Sequence, residues 1–553
     1  AQPALYGITY GYNGQTAPGA ELSFGMTGLY IQDEWTINPN FRLTGGLRID
    51  VPTYFDDLNG NQAIANETFL NGERVDVSKW PSAKVLWSPR VGFNWDVLGD
   101  DKIIITGGTG IFTGMLPFVW FTNQPTNAGQ MQNMVEFTRE QLPANFKYNP
   151  NWKETLQQYP DMFPSVPGET VPGAIAFVDP DFKLPQVWRS SINAEIQLPY
   201  DFQLSVGAMY TRDIYNVVQK NINLADPIGV YEDQPGRVYW DNSRTTDGSG
   251  NTIYGNRVNS KTNTVIKLTN GDKKGYQYSF NFVLTKKLDF GLTGSFGYTY
   301  SMAKDLTANP GSSAASVWQN NVAINSLNDP ELSYSLFSTP HRLVGNLSYE
   351  LQSGIMKSTF SLFYTGAPQG RYSYTYYNDM NGDGNYSDLI YIPATKDELN
   401  FVDVVDNGEV VYSAQQQAED FWNYVNNDKY LKNHKGEYAQ RNAGLMPWLH
   451  RFDFRYAQDY DIKIGQRNYG LQLSVTVLNI GNLFKSTWGA YRTSGLTSYD
   501  NVQILQTTSK VGEKLEYQVN AESHEEFIEN TRWTPETTTG SAWQIQFGAK
   551  ITF

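Results

Sequence analysis

Cysteine is absent from all 553 residues, which excludes a disulfide framework and any thiolate metal site. Long apolar runs are missing too. The longest uncharged stretch, Ile103 to Val135, is interrupted by Gly107, Gly108, Gly110, Pro117, Asn123, Gln124 and Pro125. It falls short of the ~20 apolar residues a membrane-spanning helix needs. Positive charge is scarce: 42 Lys and Arg stand against 56 Asp and Glu, a net charge of -14. That balance excludes nucleic acid as a partner, since nucleic acid calls for a basic face. The chain opens Ala-Gln-Pro with neither a basic segment nor a hydrophobic one behind it. The expectation is a signal peptide already removed, or a chain that begins inside something larger.

Aromatic residues and glycine are what the chain has in quantity: 36 Tyr, 29 Phe, 14 Trp and 48 Gly. So heavy a load is foreign to a soluble enzyme and natural to strands that carry aromatic belts. The last segment shows how it is used. Trp543, Ile545, Phe547, Ala549, Ile551 and Phe553 alternate with Gln544, Gln546, Gly548, Lys550 and Thr552. Because strand side chains alternate faces, one face is apolar with aromatic residues at both ends, and the other is polar. Membrane β-strands place their interfacial girdles in the same way. The pattern recurs from Phe41 to Val51, Trp188 to Leu198, Tyr276 to Thr285, Leu292 to Ser301, Leu343 to Gln352 and Leu471 to Val477.

The connections alternate as well. Short turns lie at 38–40, 99–101, 199–201, 288–289 and 353–354, and long polar loops near 55–83, 115–184, 223–260, 305–338 and 376–447. A soluble sandwich keeps its connections short at both ends. Short turns on one side and long loops on the other make the layout of an outer-membrane barrel. The predicted fold is therefore all-β: an antiparallel transmembrane β-barrel with long extracellular loops, residues 1–553 forming one barrel domain. Its sheet holds about fourteen strands, in a class where single-chain bacterial barrels have even numbers. Val502–Leu505 and Lys514–Val519 read as further strands in the weakly patterned region 485–540.

Several passages carry a family resemblance. The terminal Phe553 of an aromatic-rich strand resembles the C-terminal signature of bacterial outer-membrane barrels. Gly28-Leu-Tyr-Ile-Gln-Asp-Glu-Trp35 with Leu43-Thr-Gly-Gly-Leu-Arg48 resembles a mid-barrel hairpin of TonB-dependent outer-membrane transporters. Asp379-Met-Asn-Gly-Asp-Gly-Asn385 runs into Asp388-Leu-Ile-Tyr-Ile-Pro393; Phe421-Trp-Asn-Tyr424, Arg441-Asn442 and Met446-Pro-Trp-Leu-His-Arg-Phe-Asp453 follow, then Leu478-Asn-Ile-Gly-Asn-Leu483. In this order they resemble the Oar-like transporters of Bacteroidota, relatives of the SusC group. The resemblance implies a plug, a TonB box and a barrel of about 22 strands with a filled lumen, of which this chain is the C-terminal part. It also implies an outer-membrane location, the TonB–ExbB–ExbD complex as partner through an upstream region, and a SusD-like or other surface lipoprotein as a further partner.

Catalysis finds no support. His341, His434, His450 and His524 are scattered without zinc-pair spacing, and no G-x-S-x-G elbow or phosphate loop occurs. Gly107-Gly-Thr-Gly110 lacks the following Gly-Lys-Ser/Thr and reads as a strand that bends or meets the plug closely. The one pattern with metal chemistry is at Asp379, Asn381 and Asp383. They occupy the first, third and fifth positions of a calcium loop, with Gly384 sixth, and Asn385 and Asp388 complete the candidate set. Oxygen ligands so spaced suit Ca2+, although Ile390 stands where a bidentate Glu belongs. An Asx-rich turn at a strand top is the alternative. Phe118, Trp120 and Phe121, near Met115, form an aromatic patch that can grip a ligand ring or simply pack the loop. Trp422 lies on a helix expected over 414–430, with Ala418, Phe421 and Val425 on one face. That helix either folds over the barrel mouth or packs on the loops. Active transport of a peptide, glycan or chelate is the function the resemblance implies; a passive porin and a surface-binding barrel without transport are its rivals.

Overall fold

The computed structural model describes residues 5–16, 18–246, 252–386 and 388–553. Its frame is a 14-stranded antiparallel sheet in which thirteen long strands follow one another in sequence order. They are β1 (Phe24–Asn38), β2 (Phe41–Tyr54), β3 (Leu86–Asp96), β4 (Ile103–Thr113), β5 (Gln186–Leu198), β6 (Phe202–Tyr215) and β7 (Tyr276–Lys287). There follow β8 (Leu292–Asp305), β9 (His341–Ser353), β10 (Met356–Pro368), β11 (Trp448–Ile464), β12 (Arg467–Leu478) and β13 (Gln544–Thr552). The fourteenth is the two-residue strand Ser333–Tyr334, which pairs with Lys304 and Asp305 at the end of β8.

The register explains the two-residue period of the sequence. One row of cross-strand partners runs Trp95, Ile105, Ala194, Val206, Phe282, Tyr298, Leu343, Gly366. The neighbouring row runs Asn94, Thr106, Asn193, Gly207, Asn281, Thr299, Arg342. Side chains of adjacent rows point to opposite faces, so one face of the whole sheet is apolar and the other polar. Lipid takes the first and the lumen the second.

Short turns join β1 to β2, β3 to β4, β5 to β6, β7 to β8, β9 to β10 and β11 to β12. Positive φ angles close several of them, at Gly99 (74°), Tyr200 (62°), Gly291 (92°), Gly354 (58°) and Gly465 (64°). All long connections emerge at the opposite ends, which is the extracellular side of such a barrel. At those ends the rings of Tyr298, His341, Trp448, His450 and Tyr364 stack in series, with centroids 5.6–6.3 Å apart. The hydroxyls of Tyr298 and Tyr364 each lie 2.8 Å from Nδ1 of His341 and His450. Two of the four histidines therefore serve an aromatic girdle, where amphipathic rings meet the headgroup layer.

The extracellular connections are not merely polar loops. They fold together into a cap with hydrophobic clusters of its own. The largest takes Tyr231, Tyr372, Tyr374, Tyr376, Ile390, Ile392, Phe421, Val425, Ile504, Leu505, Tyr517 and Phe527 from three connections. Val502–Leu505 and the second expected segment do hold strands, Asn501–Thr507 and Tyr517–Val519, but these belong to the cap. They join Arg371–Tyr376, Gly444–Leu445 and Thr497–Ser498 in a five-stranded sheet apart from the barrel. Helix α1 (Ala414–Asn427) begins where expected, capped by the Ser413 side chain accepting from the Gln416 amide. It stops before Tyr430, and its Phe421 and Val425 are buried against the cap cluster.

Among the described residues, the two ends of the sheet have one partner each: β1 pairs with β2 and β13 with β12. Each therefore carries an unpaired row of backbone N–H and C=O groups at membrane depth, which lipid cannot satisfy.

Candidate functional site in the extracellular cap

Three connections meet around a cleft of ≈ 470 Å³. Gln319, Asn320 and Asn321 come from the segment between β8 and β9; Ser373, Asn385, Arg441 and Asn442 from that between β10 and β11. Ser498, Asp500, Asn501 and Gln503 come from the segment between β12 and β13. Most of the lining residues carry an amide or a hydroxyl. Two tyrosines stand at the rim, Tyr386 at 66% and Tyr499 at 93% exposure. The cap sheet holds this wall in place: Ser373 pairs in parallel with Asn501, and Tyr374 with Val502.

Arg441 is the most informative wall residue. Its Nη2 donates to Asp305 Oδ1 at 2.8 Å, tying the cap to the end of β8. Its Nη1 is buried and has no partner. A buried guanidinium donor left unpaired is costly. Neutral hydrogen-bonding groups and exposed tyrosine faces together suit a polar ligand with ring or amide groups.

The Asp379 turn forms part of the same wall through Gly384, Asn385 and Tyr386. Asp379 accepts from the amides of Gly382 (2.8 Å) and Gly384 (2.9 Å). Asn381 Oδ1 accepts from the Asp383 amide at 2.9 Å, and Asp383 Oδ1 from the Asn385 amide at 2.8 Å. Gly382 and Gly384 have φ of 80° and 93°, which the turn requires and glycine supplies. Asp388 faces elsewhere: it accepts from Asn381 Nδ2 (2.6 Å), the Met380 amide (3.1 Å) and Arg237 Nη1 (3.3 Å). Burial pushes the Asp379 carboxyl up to about 6. It pushes Asp388 up to about 7 despite the opposing pull of Arg237, and raises Asp383 strongly. Among the described residues, no group of three or more His, Cys, Asp or Glu side chains is arranged to hold a metal ion.

The aromatic candidates lie away from the cleft. Phe121 is 1% exposed, packed between Tyr54 and Phe182. Trp120 is half-buried against the same cluster. Phe118 rests on Phe24, with ring centroids 5.3 Å apart, and stays 47% exposed. Trp422 packs on the large cap cluster under the Lys435 ammonium, 4.2 Å from its ring. Arg441 and Asn442 stood out in the sequence within the family pattern alone. Tyr499, with φ of 52°, carried no local signal.

Residues 3–485 match the outer membrane beta barrel domain family. The chain belongs to that family. This outer membrane beta barrel domain is accordingly a non-enzymatic component of the bacterial outer membrane, in contact with its lipid. No curated protein matches it in sequence. Among solved structures it is similar to the outer membrane transporter YddB from Escherichia coli, at 13% identity and a TM-score of 0.41, covering 83% of this chain and 41% of that one. It is also similar to the FrpB iron transporter from Neisseria meningitidis, at 10% identity and a TM-score of 0.38, covering 96% and 45%. The copper transporter OprC gives 11% identity and a TM-score of 0.39, covering 95% and 48%. The domain thus spans less than half the length of these structures.

Proposed function

We propose that this domain is the C-terminal part of the barrel of a TonB-dependent active transporter of the Oar-like, SusC-related kind. The observation that carries the reading is the open sheet. Thirteen strands with unpaired edges at β1 and β13 need further strands beside them before lipid can tolerate them. A barrel enlarged in this way toward about 22 strands has a lumen wide enough to require a plug. The folded cap supports the second half of the reading, capture of a peptide, glycan or chelate on the extracellular side. Energy would then come from the TonB–ExbB–ExbD complex acting on a plug encoded upstream, and a surface lipoprotein could close over the cap.

A passive porin has a water-filled lumen. Native protein purified from outer membranes and inserted in a planar bilayer is therefore expected to show no steady ionic current. A large ohmic current from the intact protein would replace active transport with passive diffusion.

A further inference from the structure

The Asp379 turn holds more oxygen atoms than its own backbone needs. Asn385 is 4% exposed, and neither Oδ1 nor Nδ2 of its side chain has a partner. Its backbone N–H donates to Asp383 Oδ1 at 2.8 Å, which holds the residue against the acidic turn. Asn381 is 0% and Asp383 6% exposed, and the cation that reaches the turn, Arg237, is occupied by Asp388. Two carboxylates, Asp383 buried and Asp379 partly buried, and an orphaned amide therefore sit together with no positive charge among them in the described residues. Burial of that kind is expensive unless a cation completes it.

We infer that Asp379, Asn381, Asp383 and Asn385 bind one Ca2+ ion in the extracellular cap. Two carboxylates, two amide oxygens, water and backbone carbonyl supply the six to eight oxygens that Ca2+ takes. Asp388 is not a ligand. By accepting from Asn381 Nδ2 it turns Asn381 Oδ1 toward the Asp383 side of the turn. Arg237 in turn holds Asp388. The surrounding chain is fixed: the Trp240 amide donates to Asn381 O at 2.8 Å, Asn256 Nδ2 to Gly382 O at 3.0 Å, and the Tyr231 hydroxyl to Met380 O at 2.9 Å. An ion here stiffens Gly384, Asn385 and Tyr386, and with them one wall of the cleft. The site thereby gives the cap a dependence on external calcium.

Trp240 and Tyr231 beside the turn make the test direct, because they can sensitise Tb3+ luminescence. Native protein from outer membranes, stripped with EGTA, should bind one Tb3+ per chain, and Ca2+ should displace it with a midpoint at or below about 10⁻³ M. Asp383→Asn should weaken the competition at least ~10-fold, and Asn385→Asp should tighten it by about the same factor, since a third carboxylate joins the ligands. Asn385 has no side-chain hydrogen bond to lose, so the second variant breaks none. Absence of saturable Tb3+ binding by the native protein overturns the proposal. So does an Asn385→Asp protein whose Ca2+ affinity is unchanged.

Discussion

An arginine in place of Phe282 is expected to destabilise the protein in a lipid bilayer by about 2–4 kcal/mol, the cost of such a charge on the lipid face of a barrel. The same substitution at Val283, the next residue along β7, is expected to change stability by less than about 1 kcal/mol, as surface changes do. Exposure does not distinguish the two positions: Phe282 is 37% and Val283 36% exposed. Only the face differs. Phe282 pairs with Val206 and Tyr298 in the apolar row, whereas Val283 pairs with Ser205 and Gly297 on the lumen side. Denaturant unfolding from vesicles reads both variants. Equal costs would mean that the polar and apolar faces have been assigned wrongly or that the sheet does not lie in a bilayer.

Arg237→Ala is expected to cost about 3–5 kcal/mol, the penalty for leaving one member of a buried ion pair alone. The guanidinium is 0% exposed and Asp388 4%. Arg237 donates to the carbonyls of Ile324 and Leu389 and to Gln234 Oε1, and lies 4.8 Å from the Tyr438 ring. It therefore joins three connections that approach one another only in the folded cap. The loss should appear as local opening, with faster hydrogen exchange at Arg371–Tyr376 and Tyr391–Ile392 while the barrel amides keep their protection. Removing both charges with Arg237→Met and Asp388→Leu should recover part of the loss, because no orphaned ion remains. Unchanged exchange in Arg237→Ala would show that the cap is held by its apolar clusters alone.

The barrel was legible because its rule is local. Alternation at Tyr276, Tyr278, Phe280 and Phe282 is visible within a few residues, and the spacing of short turns and long connections gives the hairpin order. The cap obeys no such rule. Ser373 pairs with Asn501 in a parallel ladder across more than a hundred residues, which no turn or period announces. The tyrosine load shows the same limit. Composition alone points to membrane belts, yet Tyr372, Tyr374, Tyr376 and Tyr517 are 0–3% exposed in the cap core. Their hydroxyls are satisfied there: Gln234 Nε2 donates to Tyr376 and Tyr517, and Tyr372 bonds Tyr374. At the candidate site the spacing of Asp379, Asn381 and Asp383 suggests cation chemistry, and Asp388 was placed with them. The pairing of Asp388 with Arg237 carried no local signal, since the two lie 151 residues apart in sequence. Helix α1 could be read from Phe421 and Val425, but the surface it covers could not.

The central claim is that this domain is one part of a larger barrel, because β1 and β13 leave their outer edges unpaired. The intact mass of the denatured native protein, extracted from outer membranes, tests it most directly. The account predicts a mass well above the 62.5 kDa of this chain, sufficient for a plug and the remaining strands. A native mass of 62.5 kDa would contradict it.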